Sequence, residues 1–143
     1  MRTLMHAAAP VLAAALAAAA IASPGQDYML YCMGCHGPEA QGVRGRIPPL
    51  AGSLTRFMRM PEGRDYVLRV PGAANSALSD AQLAAVLNWL ADRFPAPEEP
   101  RAAPFTPEEV SAARRSPLAD VKATRRDVVR RLAASGAAPP ADY

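Results

Sequence analysis

Residues 28–42 read YMLYCMGCHGPEAQG and hold both cysteines of the 143-residue chain, Cys32 and Cys35, with His36 directly behind the second. A three-residue spacing sets two side chains on one face of a single helical turn, so both sulfurs are presented to the same object. A disulfide between them would close a very small loop and remove little chain entropy, which makes a structural staple a poor explanation. A structural zinc site needs four ligands, and the only other histidine is His6, near the N-terminus. A thioredoxin-like dithiol belongs in a βαβ unit, and no flanking stretch alternates strictly enough to be a strand.

Upstream, residues 1–22 read MRTLMHAAAPVLAAALAAAAIA. A basic start at Arg2, an alanine-leucine run and an A-x-A ending at Ala20-Ile21-Ala22 predict a cleaved secretory signal peptide. The apolar run is short for a bilayer span, so no stable membrane span is expected after cleavage. The mature chain is therefore expected in an oxidising compartment, a bacterial periplasm.

Downstream, the sequence predicts an all-α protein. Pro24 opens a first helix that runs into the cysteine motif. The Gly/Pro-rich HGPEAQGVRGRIPPLAGS, residues 36–53, reads as loop. GRDYVLRV, residues 63–70, reads as a short helix stopped by Pro71. The strongest element is SDAQLAAVLNWLADRF, residues 79–94: Ser79 caps it and Gln82 completes a capping box. Leu83, Val86, Leu87, Leu90 and Phe94 share one face of that helix. Residues 23–94 are thus expected to form the domain and 95–104, PAPEEPRAAP, an extended proline-rich linker. Residues 105–143 are expected to form a helical C-terminal extension. One helix there is capped by Thr106-Pro107. A second, announced by Ser116-Pro117, runs to about Ala134 and is closed by Gly136. Leu118, Val121, Val128 and Leu132 give the second helix a thin apolar stripe beside a basic side of Arg125, Arg126, Arg130 and Arg131.

C-x-x-C followed at once by His is the attachment pattern for c-type haem. Two thiols add across the two vinyl groups of the ring, and the adjacent imidazole turns to the iron. The cofactor expected is one covalent haem c, held by Cys32 and Cys35, with His36 as the proximal iron ligand. A haem also explains how a chain with three Phe, one Trp and four Tyr builds a core, because the ring is itself a large apolar body.

Residues 24–94 resemble the class I cytochromes c, small monohaem proteins whose helices wrap around the ring. The likeness rests on Tyr28 ahead of CMGCH, on CHGPEAQG, on IPPLAGS and on the LSDAQLAAVLNWL helix with Trp89. It implies that the first and last helices of the domain cross at Gly25, Tyr28 and Trp89, with Trp89 packing near the cofactor. It also implies that the carbonyl of Pro48 accepts a hydrogen bond from His36 Nδ1, fixing the ring and raising its basicity.

The second axial position departs from the family. An electron-carrying member usually supplies Met from the loop before the last helix, yet VPGAANSALSD, residues 70–80, has none. Met60 or Met58 of RFMRMPEG, Asn75 as a weak ligand, or no protein ligand at all remain open. The primary functional expectation is a periplasmic, non-enzymatic carrier of single electrons, passing them between redox proteins such as a dehydrogenase or oxidase. Arg44, Arg46, Arg56 and Arg59 are candidates to ring the exposed haem edge. Two other readings stand beside it: a weakly ligated haem protein that binds or senses a small gas or peroxide, and a haem subunit docked through residues 105–135. A formal charge of +3, with both signs interspersed, gives no reason to expect nucleic acid.

Overall fold

A computed structural model describes residues 22–97 and 100–137. The signal peptide expected over residues 1–22 lies outside them, apart from Ala22. Every regular element among them is a helix, and one isolated bridge joins Val43 to Ile47.

Helix α1, Pro24–Tyr31, starts on a capping box in which Ser23 and Gln26 exchange bonds between side chain and backbone. The chain breaks at Cys32 and resumes as one turn, α2, Met33–His36. Gly37, at φ 79, ends that turn. After the 37–53 loop come α3, Leu54–Met58, and α4, Pro61–Arg69. The first of these is a short helix directly after the stretch that reads as loop. Pro71–Ala74 form the single turn α5. Helix α6, Asp80–Arg93, carries the capping box of Ser79 and Gln82. Its residues Leu83, Val86, Leu87 and Leu90 are buried.

Helices α1 and α6 cross where a Cβ on Gly25 would meet the Trp89 ring at 3.3 Å. The Tyr28 and Trp89 rings lie 5.7 Å apart and tilted by 40°. Gln82 serves twice: besides capping α6, its Nε2 donates to the buried carboxylate of Asp27 at 3.2 Å. That bond ties the start of α6 to α1.

The segment expected as a linker is pinned to the domain. The Ala96 amide donates to Thr55 Oγ1 at 3.0 Å, and Asn88 binds both the amide and the carbonyl of Phe105. Phe105 and Val110 are buried in one cluster with Tyr28, Leu83 and Leu87. Val110 belongs to α7, Pro107–Ala113, which starts on the Thr106 cap. Arg64 of α4 clamps this segment. It makes a two-pronged pair with Glu109 at 2.7 and 2.6 Å, donates to the carbonyls of Met58, Ala103 and Pro104, and lies over the Phe105 ring.

The last helix, α8, Val121–Ala134, begins later than Ser116-Pro117 suggests. Residues 116–118 are held as an irregular strap against the end of α4, where Leu118 N donates to Arg69 O at 2.9 Å and Arg69 Nε to Ser116 O at 2.6 Å. Asp120 takes over as the cap, accepting from Ala123 N at 2.8 Å. Val128 and Leu132 of α8 bury against Phe57 and Tyr66, themselves stacked at 5.4 Å. Gly136, at φ 80, closes the helix. Among the described residues no helix is long and apolar enough to cross a membrane.

Candidate haem site

The α2 turn positions the motif. The amides of Cys35 and His36 both donate to the carbonyl of Cys32, and that of Gly37 donates to Met33 O at 2.8 Å. Cys32 and Cys35 therefore occupy one turn, three residues apart, and both are free thiols. Tyr28 locks the turn to α1, because its buried hydroxyl donates to Gly37 O at 2.6 Å. Burial first, then the nearby Cys32, push the Tyr28 phenol up to about 12. Burial, followed by the Asp27 carboxylate and Cys35, also pushes the Cys32 thiol up.

His36 Nδ1 lies 3.1 Å from the carbonyl oxygen of Pro48. A carbonyl only accepts, so Nδ1 carries the proton and Nε2 keeps its lone pair. Burial lowers the pKa of His36, and the bond to Pro48 opposes that shift. The ring is thus favoured in its neutral form, which is the form that ligates metals. The loop is shaped to bring this carbonyl in: Gly42, at φ 69, donates its amide to His36 O at 2.8 Å and passes close to Ile47 and Pro48.

Cys35 and His36 open onto a cleft of about 340 Å³. That volume lies in the range of roughly 300–1,000 Å³ typical of small-molecule and cofactor sites. The 46–50 loop forms one wall, with Ile47, Pro48 and Leu50. Leu54, Phe57, Tyr66, Val67, Val70 and Pro71 form the α3–α5 wall, and Leu87 of α6 reaches in. Val121 and Arg125 of α8 complete the lining.

Not every residue anticipated from sequence meets this cleft. Trp89 sits at the α1–α6 crossing, where the resemblance places it, with Phe94 edge-on to it at 6.5 Å, but it is not on the cleft lining, where Leu87 is the α6 residue. Met58 is buried in the main cluster and faces a different recess, beside Thr55 and Asn88. Met60 packs against the second cluster, with Phe57 and Val128. Asn75 is exposed at the end of α5. None of these three is on the cleft lining, which Tyr66, Val67 and Val70 occupy instead. Of the four arginines proposed for the haem edge, Arg46 lines the cleft, and Arg44, Arg56 and Arg59 do not. Sequence reading missed Ser53, Tyr66 and Arg125 as cleft residues. The one available signal was the apolar stripe of α8, because Val121 and Arg125 are four residues apart and share a helix face.

No family model matches the sequence. Two curated proteins do: cytochrome c-552 from Thermus thermophilus, and a second cytochrome c-552 from a named strain of that organism. Each is 32% identical over 106 residues, covering 61% of this chain and 81% or 72% of the relative. The chain belongs to the c-type cytochromes, and the cofactor of that family is covalently bound haem c.

The site fits such a group. The cleft walls are mostly apolar, a neutral imidazole with a free nitrogen lines it, and two free thiols sit one turn apart beside it. The buried Ser53 hydroxyl, also on the lining, has no hydrogen-bond partner among the described residues.

Proposed function

We propose that the protein is a periplasmic monohaem cytochrome c that carries single electrons between redox partners. The carrying observation is the bond between His36 Nδ1 and the Pro48 carbonyl at the edge of an apolar cleft, directly behind two free cysteines. On this reading Cys32 and Cys35 anchor haem c by thioether bonds and His36 Nε2 binds its iron. The bound haem supplies a centre that gains and loses one electron. The protein's own work is to hold, orient and shield it. Pro48 fixes the imidazole, Tyr28 fixes the attachment turn, and the Leu54, Phe57, Val67 and Leu87 side chains exclude water. The exported compartment follows from the leader read in residues 1–22, and the partners expected there are dehydrogenases or oxidases.

A second reading is favoured by the positions of Met58, Met60 and Asn75 away from the cleft lining. It gives the iron a weak or exogenous sixth ligand and lets the protein bind a small gas. A redox titration of the purified holoprotein, followed by addition of carbon monoxide to the reduced form, separates the two. A reversible one-electron couple with a spectrum indifferent to the gas supports the carrier alone. A saturable spectral shift supports the open position. Absence of any one-electron couple contradicts the carrier.

A further inference from the structure

Among the described residues Asp27 is the only carboxylate or basic side chain that is buried, at 3% exposure. Its carboxylate accepts from Gln82 Nε2 at 3.2 Å, and none of the ion pairs among the described residues includes it. One hydrogen bond from a neutral amide is little compensation for a carboxylate taken out of water. The position of Asp27 gives that charge a use. It lies five residues before Cys32, and the Cys32 amide still donates to Tyr28 O in helical register, at 2.9 Å. Five residues are about 7.5 Å of helix rise. A group bonded to the Cys32 sulfur therefore lies within the field of this carboxylate, which burial leaves poorly screened by salt. Asp27 is not on the cleft lining, so it acts through that field and not by contact.

We infer that Asp27, held in place by Gln82, is a buried counter-charge to the oxidised cofactor and lowers the reduction potential of the protein. This rests on the assignment of residues 32–36 as the attachment site. The sign follows from electrostatics. The oxidised centre carries one more positive charge than the reduced one, and a fixed negative charge nearby favours the form that has it. The bond to Gln82 gives the α1–α6 crossing a second task, because the residue that caps α6 also orients the charge. Tyr28, next in sequence, locks the attachment turn to the same helix through Gly37 O, so the distance from the charge to the turn is fixed.

The test is the midpoint potential, at neutral pH and at low and high salt, of holoproteins exported with a haem-maturation system. D27N removes the charge and keeps an oxygen that can accept from Gln82. G25A crowds Trp89 at the same helix crossing without touching charge. D27N is expected to raise the potential, by on the order of a tenfold change in the reduced-to-oxidised ratio, or about 59 mV for one electron. The rise is expected to persist at high salt, and G25A to stay near the wild type. An unchanged or lower potential in D27N overturns the inference. So does an equal rise in G25A, which would make packing the cause, or a rise that high salt abolishes, which would make the charge a solvated one. Should D27N not accumulate, D27S carries the same test with the same expected sign, and an unchanged potential there overturns it equally. A colourless wild type would instead refute the attachment assignment, so the two failures are told apart.

Discussion

Gly42 packs so tightly against Pro48 that there is no room between them for a side chain. A Cβ on Gly42 would lie 2.3 Å from Ile47 O and 2.8 Å from Pro48 O, at a φ of 69 that side chains rarely adopt. The second of these oxygens, that of Pro48, is the one that holds His36 Nδ1. Gly42→Ala is therefore expected to cost about 1–3 kcal/mol through strain and displacement. It should also change the absorption spectrum of the holoprotein, because the His36 ring proposed as the iron ligand is released. Chemical denaturation and an optical spectrum check both effects, and a variant as stable as wild type with an unchanged spectrum contradicts this account of the loop.

Gly63 acts as a spacer between α3 and α4. A Cβ there would lie 2.1 Å from the Phe57 carbonyl oxygen, a backbone atom that cannot move aside as a side chain can. Gly63→Ala gains helix propensity of about 1 kcal/mol, yet the overpacking term opposes it and wins. A net loss of about 2 kcal/mol is expected by denaturant unfolding. A stabilised variant would show that the two helices part freely.

Arg64 anchors residues 103–109 onto the domain through four hydrogen bonds and the face of Phe105, and a fifth bond ties it to Met58 O. Arg64→Ala leaves the Glu109 carboxylate and three carbonyls without this donor, an expected cost of about 3 kcal/mol. Glu109→Gln keeps the shape and loses one charge, for an expected cost of about 1 kcal/mol. Limited proteolysis should cut the 100–106 segment faster in Arg64→Ala than in wild type. Equal cleavage rates would contradict a clamp.

Tyr28 gives the stability a pH dependence whose sign can be worked out. Its phenol titrates at about 12 when folded, against an ordinary value of 10.0. The unfolded chain thus loses this proton first, and the native state binds more protons between the two values. Stability contributed by Tyr28 is fully present below about pH 10 and is lost as the pH rises toward 12. Tyr28→Phe should flatten that alkaline decline while costing about 1 kcal/mol at neutral pH, the value of the bond to Gly37. Unfolding curves across pH 9–12 check it, and parallel declines in the two proteins would contradict it.

What was readable from sequence was local. Ser79 and Gln82 announced α6 because a capping box is a short-range device, and the C-x-x-C-H order announced the attachment turn because its geometry is contained in one turn. What escaped was set by partners distant in sequence. Phe105 joins the main cluster because Asn88 binds its backbone and Arg64 binds that of Ala103 and Pro104, which no local pattern encodes. The start of α8 shifts to Val121 because Arg69 captures residues 116–118. Arg125 looked like one charge of a basic face, and only the packing of Val128 and Leu132 on Phe57 and Tyr66 turns it to the cleft.

The central claim is that a haem is covalently attached through Cys32 and Cys35, with His36 as its axial ligand. The most direct measurement is the intact mass of protein exported alongside a haem-maturation system, followed by mass mapping of the peptide that contains both cysteines. The prediction is a red protein heavier than its polypeptide by one haem, with the added mass on that peptide and lost when both cysteines are changed to Ala. A colourless product with the mass of bare polypeptide would contradict it.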